Sequence, residues 1–354
     1  MPELDPKQTE LEDQARLGFS WLCAGLVTVL IVAIVSVASG PVNIPLDRVA
    51  IELLDRLPFV NLDSGLKPSQ QAIVWELRAP RMVLGLLVGA LLAGSGAAYQ
   101  GVFRNPLADP FLLGIAAGAG LGATIAIVAG LGDGLGLIDP VPIAAFMGAL
   151  LAVTTAGTLG MRRGAATSTT TLILAGVAVA SFFTALQTFI QHRNAENLRQ
   201  VFAWILGRLS TAGWDEVLLL LPYAVLCSLG LILSMGALDV LAVGDDEATS
   251  LGLRPQTVRR VVLVVASLGA AAAVSVSGLI GFVGLIIPHA VRLVAGVSYR
   301  RVIPLSLLFG GAFLALTDVV ARTVQAPAEL PIGVITAFVG APFFLSILRR
   351  QTGT

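Results

Sequence analysis

The sequence predicts an all-α, polytopic membrane protein with about ten transmembrane helices, on three observations. Charged residues make up only 12% of its 354 residues, about half the ~25% of a soluble domain, too few to cover a water-facing surface. Apolar residues reach 56% and mean hydropathy +0.88, and they gather in runs of about 20 residues, the length that crosses a bilayer as helix. The 38 glycines suit helices whose backbones approach closely in lipid. A formal net charge of zero gives no support to a nucleic-acid-binding role.

The elements follow in order. Residues 1–18 carry Glu3, Asp5, Glu10, Glu12 and Asp13, the wrong charge for the basic start of a cleavable signal, so they are expected as a cytoplasmic N-terminal segment. The run Phe19 to Ser39 is then an uncleaved first span. Further spans are expected near 82–102, 111–130, 141–161, 172–190, 215–236, 258–276, 280–296, 303–322 and 332–348, with 351–354 as a short tail. The eighth is short, rich in Gly, and holds Pro288 and Arg292. The connection 41–77 is the longest, and the apolar pattern from Val49 to Leu57 predicts a short helix lying along the membrane surface.

Orientation follows from Lys and Arg placement. With both termini in the cytoplasm, the inner segments hold Lys7, Arg16, Arg104, Arg162, Arg163, Arg254, Arg259, Arg260, Arg300, Arg301, Arg349 and Arg350. The outer segments hold Arg48, Arg56, Lys67, Arg78, Arg81, Arg193, Arg199, Arg208 and Arg322. A faint repeat is visible in Ser95-Gly96 with Pro106 against Ser277-Gly278 with Pro288, and in Pro142 with Gly148 against Pro304 with Gly310. It divides a single transmembrane domain, 19–350, into halves of about 19–200 and 201–350, and a five-helix repeat must invert across the membrane.

No phosphate-binding loop of the Gly-x-x-x-x-Gly-Lys-[Ser/Thr] type occurs, so the chain is not expected to be an ATPase or any other enzyme. Gradient-driven carriers keep ionisable groups inside the membrane, yet the spans hold almost no acids. Asp318 is the exception, and Arg322 stands four residues on, on the same helical face, ready for a local ion pair. The sequence therefore describes a transport pathway without its own motor, against the rivals of a stand-alone secondary carrier and a passive channel. Leu241 to Leu253, LAVGDDEATSLGL, reads either as a solvated loop or as a short helix that docks onto a cytoplasmic protein. Cys23 and Cys227 lie in apolar runs and read as small hydrophobes. His192, beside Arg193, and His289 lack partners at metal-ligand spacing, so no metal site is assigned and no resident cofactor is expected.

Several longer motifs, in order, resemble those of the FecCD family (BtuC-like) permease subunits of type II ABC importers for iron-siderophore, haem or cobalamin. They are ELRAPR at 76–81, GVFRNPLADPFLLG at 101–114, LAVGDDEATSLGL at 241–253, GLIGFVGLIIPHAVRLVAG at 278–296 and ELPIGVITAFVGAPFF at 329–344. The resemblance runs from about Phe19 to Arg350. It implies a bacterial inner-membrane protein of two inverted five-helix repeats, paired with a second copy of itself around the substrate passage. It also implies two ATPase subunits that use ATP and Mg, and a periplasmic or lipid-anchored binding protein that delivers the cargo. The cargo expected is an iron chelate, with haem or cobalamin as alternatives.

The resemblance also implies roles for single residues. Arg78 and Arg81, with Arg322 as a third candidate, correspond to arginines that receive acids of the binding protein, a task suited to the planar guanidinium; the other reading is anchoring of helix ends, and Asp318 competes for Arg322. Gly244, Asp245, Asp246, Glu247, Leu251 and Gly252 correspond to the element that docks on the ATPase. Asn105, Pro106 and Leu107, with Thr169 and Thr170, resemble an inner gate, though Thr at a helix start is also an ordinary cap. The fifth span is expected to line the passage with Ala175, Val179, Phe182 and Phe183, a largely apolar wall for cargo handed over without being gripped. His192 follows the fifth span on the outer side next to Arg193, where a haem or its propionates would pass, but it is not assigned as a cargo ligand.

Overall fold

The computed structural model describes residues 18–42, 44–56, 62–131, 139–160, 169–209 and 213–352. Among them no strand occurs, and the helices are α1 (Phe19–Ala38), α2 (Leu46–Asp55), α3 (Pro68–Ala72), α4 (Ala79–Phe103), α5 (Ile115–Val128), α6 (Pro140–Gly160), α7 (Thr169–Arg193), α8 (Leu198–Ile205), α9 (Trp214–Leu233), α10 (Met235–Val243), α11 (Asp245–Ser250), α12 (Pro255–Ser277), α13 (Val283–Ala295), α14 (Tyr299–Thr323) and α15 (Ile332–Thr352).

Ten of these answer the ten expected spans. Seven are long and apolar enough to cross a bilayer, while α5, α13 and α15 contribute shorter apolar stretches. The order of lengths repeats across the chain. In the first half α1, α4, α5, α6 and α7 have 20, 25, 14, 21 and 25 residues. In the second α9, α12, α13, α14 and α15 have 20, 23, 13, 25 and 21. The third helix is the short one in both. Packing exchanges in the same sense: α4 lies against α13 and α14 of the other half, and α12 lies against α5 and α6. The expected pairing of Pro106 with Pro288 is not structural, because Pro106 lies in the turn after α4 whereas Pro288 lies inside α13.

Helix α4 is the hub. Leu84, Val88, Leu91, Leu92, Ala97 and Tyr99 are buried in one core cluster. Small residues bring the neighbours close: an added Cβ at Gly94 would meet the Leu307 side chain at 2.6 Å, and one at Gly311 would meet the Leu86 carbonyl oxygen at 2.7 Å. Polar bonds fix the rotation of α4, since Ser95 donates to Ala266 O at 2.8 Å and Gln100 donates to Gly284 O at 3.1 Å. Inside lipid such bonds add roughly 1 kcal/mol each.

The connection 41–77 is more structured than the sequence suggests. α2 turns Val49 and Glu52 inward, and Glu52 accepts from Ser64 Oγ at 2.5 Å, Trp75 Nε1 at 2.8 Å and Gln71 Nε2 at 3.3 Å. α3 then continues through a π-turn at Ile73–Arg78 into α4. Pro80 explains the wider turn: it has no N–H to donate, and its ring crowds the carbonyl four residues back.

Candidate functional site

At one end of the bundle, Arg78 and Arg322 both serve the C-terminus of α1. Helix ends leave carbonyls without partners. Arg78 sits in the π-turn, 5% exposed, and its Nη1 donates to Val37 O at 2.9 Å and Ala38 O at 2.7 Å, with Nη2 to Val42 O at 2.5 Å. Arg322, 4% exposed, donates from Nη2 to Ser36 O at 2.5 Å and Ser36 Oγ at 3.0 Å, and its Nε lies 3.6 Å from Asp318. The sequence places both on a docking rim; the structure instead spends both guanidiniums inside the chain, as caps. Arg81 lies at the same end of the bundle. It grips Asp318 through Nε and Nη2 at 2.8–3.0 Å and Glu329 through Nη1 and Nη2 at 2.8–3.0 Å. Its side chain is 11% exposed and that of Glu329 is 38%. A cleft of about 230 Å³ lies here, with Arg208 beside this cluster.

Below it runs an apolar groove of about 590 Å³, open along one side. Its walls are Ile205 and Leu206 at the end of α8, Leu279 after α12, and Val334, Ala337 and Phe338 on α15. Three backbones meet at its head: Arg208 N donates to Ser277 O at 2.8 Å, and Gly333 N donates to Leu206 O at 3.1 Å. Gly207 and Gly278 adopt φ of +77° and +71° there, a left-handed turn that glycine takes without a Cβ clash.

The expected lining of the fifth span needs correction. Val179 and Phe183 of α7 are buried in a cluster with Leu121, Ala152 and Ala156, so they hold α7 to α5 and α6. The open face of α7 is Leu174, Val177, Ala178, Ser181, Phe182 and Phe189, with Ala175 at its edge. This stripe follows the i, i+3, i+4, i+7 spacing of one helix face. Phe182, at 64% exposure, belongs to it. His192 is exposed at the end of α7, and His289 packs edge-on to Phe343 at 6.0 Å between ring centres. Among the described residues no cluster of three or more His, Cys, Asp or Glu side chains gathers.

At the opposite end, Arg104 closes α4 in a left-handed conformation, φ +46°. Asn105 Oδ1 then accepts from Leu107 N at 2.9 Å. Pro106 and Leu107 stand against Phe282, Ile286, His289 and Phe343 around a small crevice. Thr169 opens α7 and Thr170 is exposed beside it. The segment 241–253 forms an elbow, with α10 and α11 meeting at Gly244. Ala248 is buried, while Val243 and Leu251 are 74% and 70% exposed. Asp246 and Glu247 face outward. Asp245, its side chain 41% exposed, accepts from Arg104 Nη2 at 2.5 Å and from Arg259 Nη1 and Nη2 at 2.8 and 2.6 Å. The Arg259 bonds hold its carboxyl below the usual carboxylate range, against the opposing pull of burial, and the charges of Arg259 and Arg104 add to that.

The profile of the FecCD transport family matches residues 28–350. The chain belongs to that family. This FecCD chain is 40% identical over 371 residues to the cobalamin import system permease protein BtuC of Halobacterium salinarum, covering 96% of the chain and 99% of the relative. It is 37% identical over 332 residues to the iron(3+)-hydroxamate import system permease protein FhuB of Bacillus subtilis, covering 93% and 83%. Among solved structures, a metal-chelate type ABC transporter in an inward-facing conformation matches it with a TM-score of 0.80 and 29% identity, covering 93% of the chain and 98% of the other. What residue patterns missed in the FecCD chain are contacts between distant segments. Glu329 stands in the ELPIG motif with nothing to mark Arg81 as its partner, and Arg259 stands 14 residues from Asp245.

Proposed function

We propose that the chain is the membrane-spanning permease subunit of an ATP-driven importer for a ferric chelate, and that two copies enclose the passage between them. The observation that carries this reading is the groove. It is apolar, unobstructed along one side and flanked by the family's motifs, as half of a passage would be. Its volume, about 590 Å³, lies within the ~300–1,000 Å³ typical of small-molecule sites, and a facing copy would enlarge it to the scale of a bulky chelate. Its wall carries no ligand for iron, so the cargo passes intact and selectivity rests with the delivering protein.

The energy comes from outside the chain. Val243, Leu251 and the acids Asp246 and Glu247 form the face that meets a cytoplasmic ATPase, which binds ATP and Mg. Gly244 and Gly252 supply the two bends of the elbow, and Gly252 takes φ +82°. Asn105, Pro106, Leu107, Thr169 and Thr170 form the inner constriction. On the outer face Arg81 is the residue placed to receive an acid of a periplasmic or lipid-anchored binding protein, in competition with Glu329. The excess of Arg at one set of helix ends supports an inner-membrane location with both termini in the cytoplasm.

Cobalamin is the second reading, favoured by full-length similarity to the Halobacterium permease. The test is reconstitution in liposomes with the cognate ATPase and binding protein. ATP-dependent uptake of ferric hydroxamate, outcompeting cobalamin, is the expected result; preference for cobalamin would select the second reading. Uptake by the chain alone under an ion gradient would overturn both.

A further inference from the structure

The cytoplasmic elbow is wired to the inner turn through one side chain. Arg104 caps the C-terminal end of α4 and immediately precedes Asn105-Pro106-Leu107. Its Nε donates to Leu241 O at 2.7 Å, a carbonyl in the last turn of α10 with no helical partner of its own. Its Nη2 donates to Asp245 Oδ1 at 2.5 Å, in the first turn of α11. One planar guanidinium therefore spans both arms of the elbow across Gly244, a geometry that a rigid fork supplies and a lysine does not.

The rest of the arrangement gives this contact a direction. Asp245 is also held by both Nη atoms of Arg259 near the start of α12, so the elbow stays anchored to α12 whatever Arg104 does. Asp245 thus has both oxygens bonded to arginines of its own chain, and Val243 and Leu251 are the exposed apolar side chains of the elbow. On the far side of Arg104, the left-handed φ of +46° fixes the exit from α4, and such a conformation persists in a residue with a Cβ only where its surroundings hold it. The turn that follows places Leu107 on the rim of a small crevice shared with Phe282 and Phe343, the second of which lies on α15, a wall of the groove.

Resting on the function proposed above, we propose that Arg104 is a positioning residue which passes movement of the 243–251 elbow to the 105–107 turn. Asp245 is its partner in that link and not a contact for the ATPase. Displacing the elbow pulls on both bonds of Arg104, and the cheapest relief is rotation at its left-handed backbone, which carries Leu107 with it.

The test uses the permease–ATPase complex in lipid nanodiscs, with Cys23 and Cys227 replaced by Ala and Leu107→Cys as reporter. The readout is the rate of maleimide labelling with and without the non-hydrolysable analogue AMP-PNP. In the parent complex nucleotide should change the rate at least about fivefold, the lower end of coupling between linked sites. In Arg104→Gln the change should fall below about twofold while ATP hydrolysis and ATPase association persist, an uncoupling that a merely structural brace would not produce. An undiminished change in Arg104→Gln would overturn the link and leave the proposed function standing. Loss of ATPase association by that variant would also overturn it, by making Arg104 part of docking itself. No nucleotide response in the parent complex would overturn the motor-driven function and the link together. If Arg104→Gln does not fold, Arg104→Lys decides: it keeps the charge but cannot bridge both arms, so a reduced response supports the link and a full one overturns it.

Discussion

Replacing Gly333 by Ala tests the junction at the head of the groove. A Cβ built there lies 2.5 Å from Leu206 O and 2.9 Å from Leu279 O, both backbone atoms that cannot swing aside. Restoring ordinary contact requires α15 to retreat by about 0.5–1 Å, and such overpacking costs about 1–3 kcal/mol. It would also stretch the Gly333 N to Leu206 O bond of 3.1 Å. The sign of the effect is the discriminating part. Gly333 lies in the first turn of α15 without a positive φ, so intrinsic propensity alone would make Ala stabilising, by up to about 1 kcal/mol. The assay is the melting temperature of the detergent-purified protein together with ATP-driven uptake in liposomes. Gly281→Ala, where an added Cβ meets nothing within 4 Å, is the control. A lower melting temperature and slower uptake are expected for Gly333→Ala alone. An unchanged or raised melting temperature would refute the close approach of the three backbones.

Two further outcomes follow from the 241–253 elbow and from the cluster around Glu52. Val243→Asp with Leu251→Asp should lower ATPase association at least about tenfold, a loss of about 1.4 kcal/mol, with the melting temperature unchanged, because both side chains are exposed; pull-down of the ATPase checks this. Glu52→Gln should lower the melting temperature at neutral pH by removing a carboxylate held by three donors, each such bond contributing about 1.5–3 kcal/mol. Burial pushes the Glu52 carboxyl up, but the bonds from Ser64, Trp75 and Gln71 and the charge of Arg56 together hold it below its ordinary 4.5. A depressed carboxyl stabilises the fold above that ordinary value and loses the contribution as pH falls through its folded one. The gap between wild type and Glu52→Gln should therefore narrow below about pH 4.5, as melting curves over pH 3–7 would reveal.

The spans were legible in the sequence because lipid permits so little else: runs such as Phe19–Ala38 declare themselves by composition alone. The repeat was legible only faintly, since its strongest sign, two short third helices, depends on where α5 and α13 stop. The site divides on the same line. Asn105-Pro106-Leu107 and the elbow glycines are local turns, and their residue types announce them. Arg78 and Arg322 misled because a charge near a membrane surface looks available until its partners are known: the carbonyls that Arg78 caps lie 36 or more residues away, and Ser36, which joins the foreseen Asp318 in holding Arg322, lies 286 away. On α7, residues 179 and 183 differ from 178 and 182 by one step around the helix. Composition cannot choose between them, because both faces are apolar; only the packing of α5 and α6 does.

The two short helices carry a consequence for how the fold can move. At 14 and 13 residues, α5 and α13 rise only about 20 Å, less than the ~30 Å of a hydrocarbon core. The connections feeding them, 104–114 and 278–282, are irregular backbone that reaches toward membrane depth, which lipid tolerates only where protein shelters it. α4 and α12 supply that shelter, and because the halves are inverted their C-terminal ends point to opposite faces. Each end of the bundle thus has one joint where regular helix is interrupted beside a short apolar helix. One joint borders the inner turn and the other the head of the groove. The same break therefore recurs in both halves, and the two interrupted stretches stand at opposite ends of the bundle.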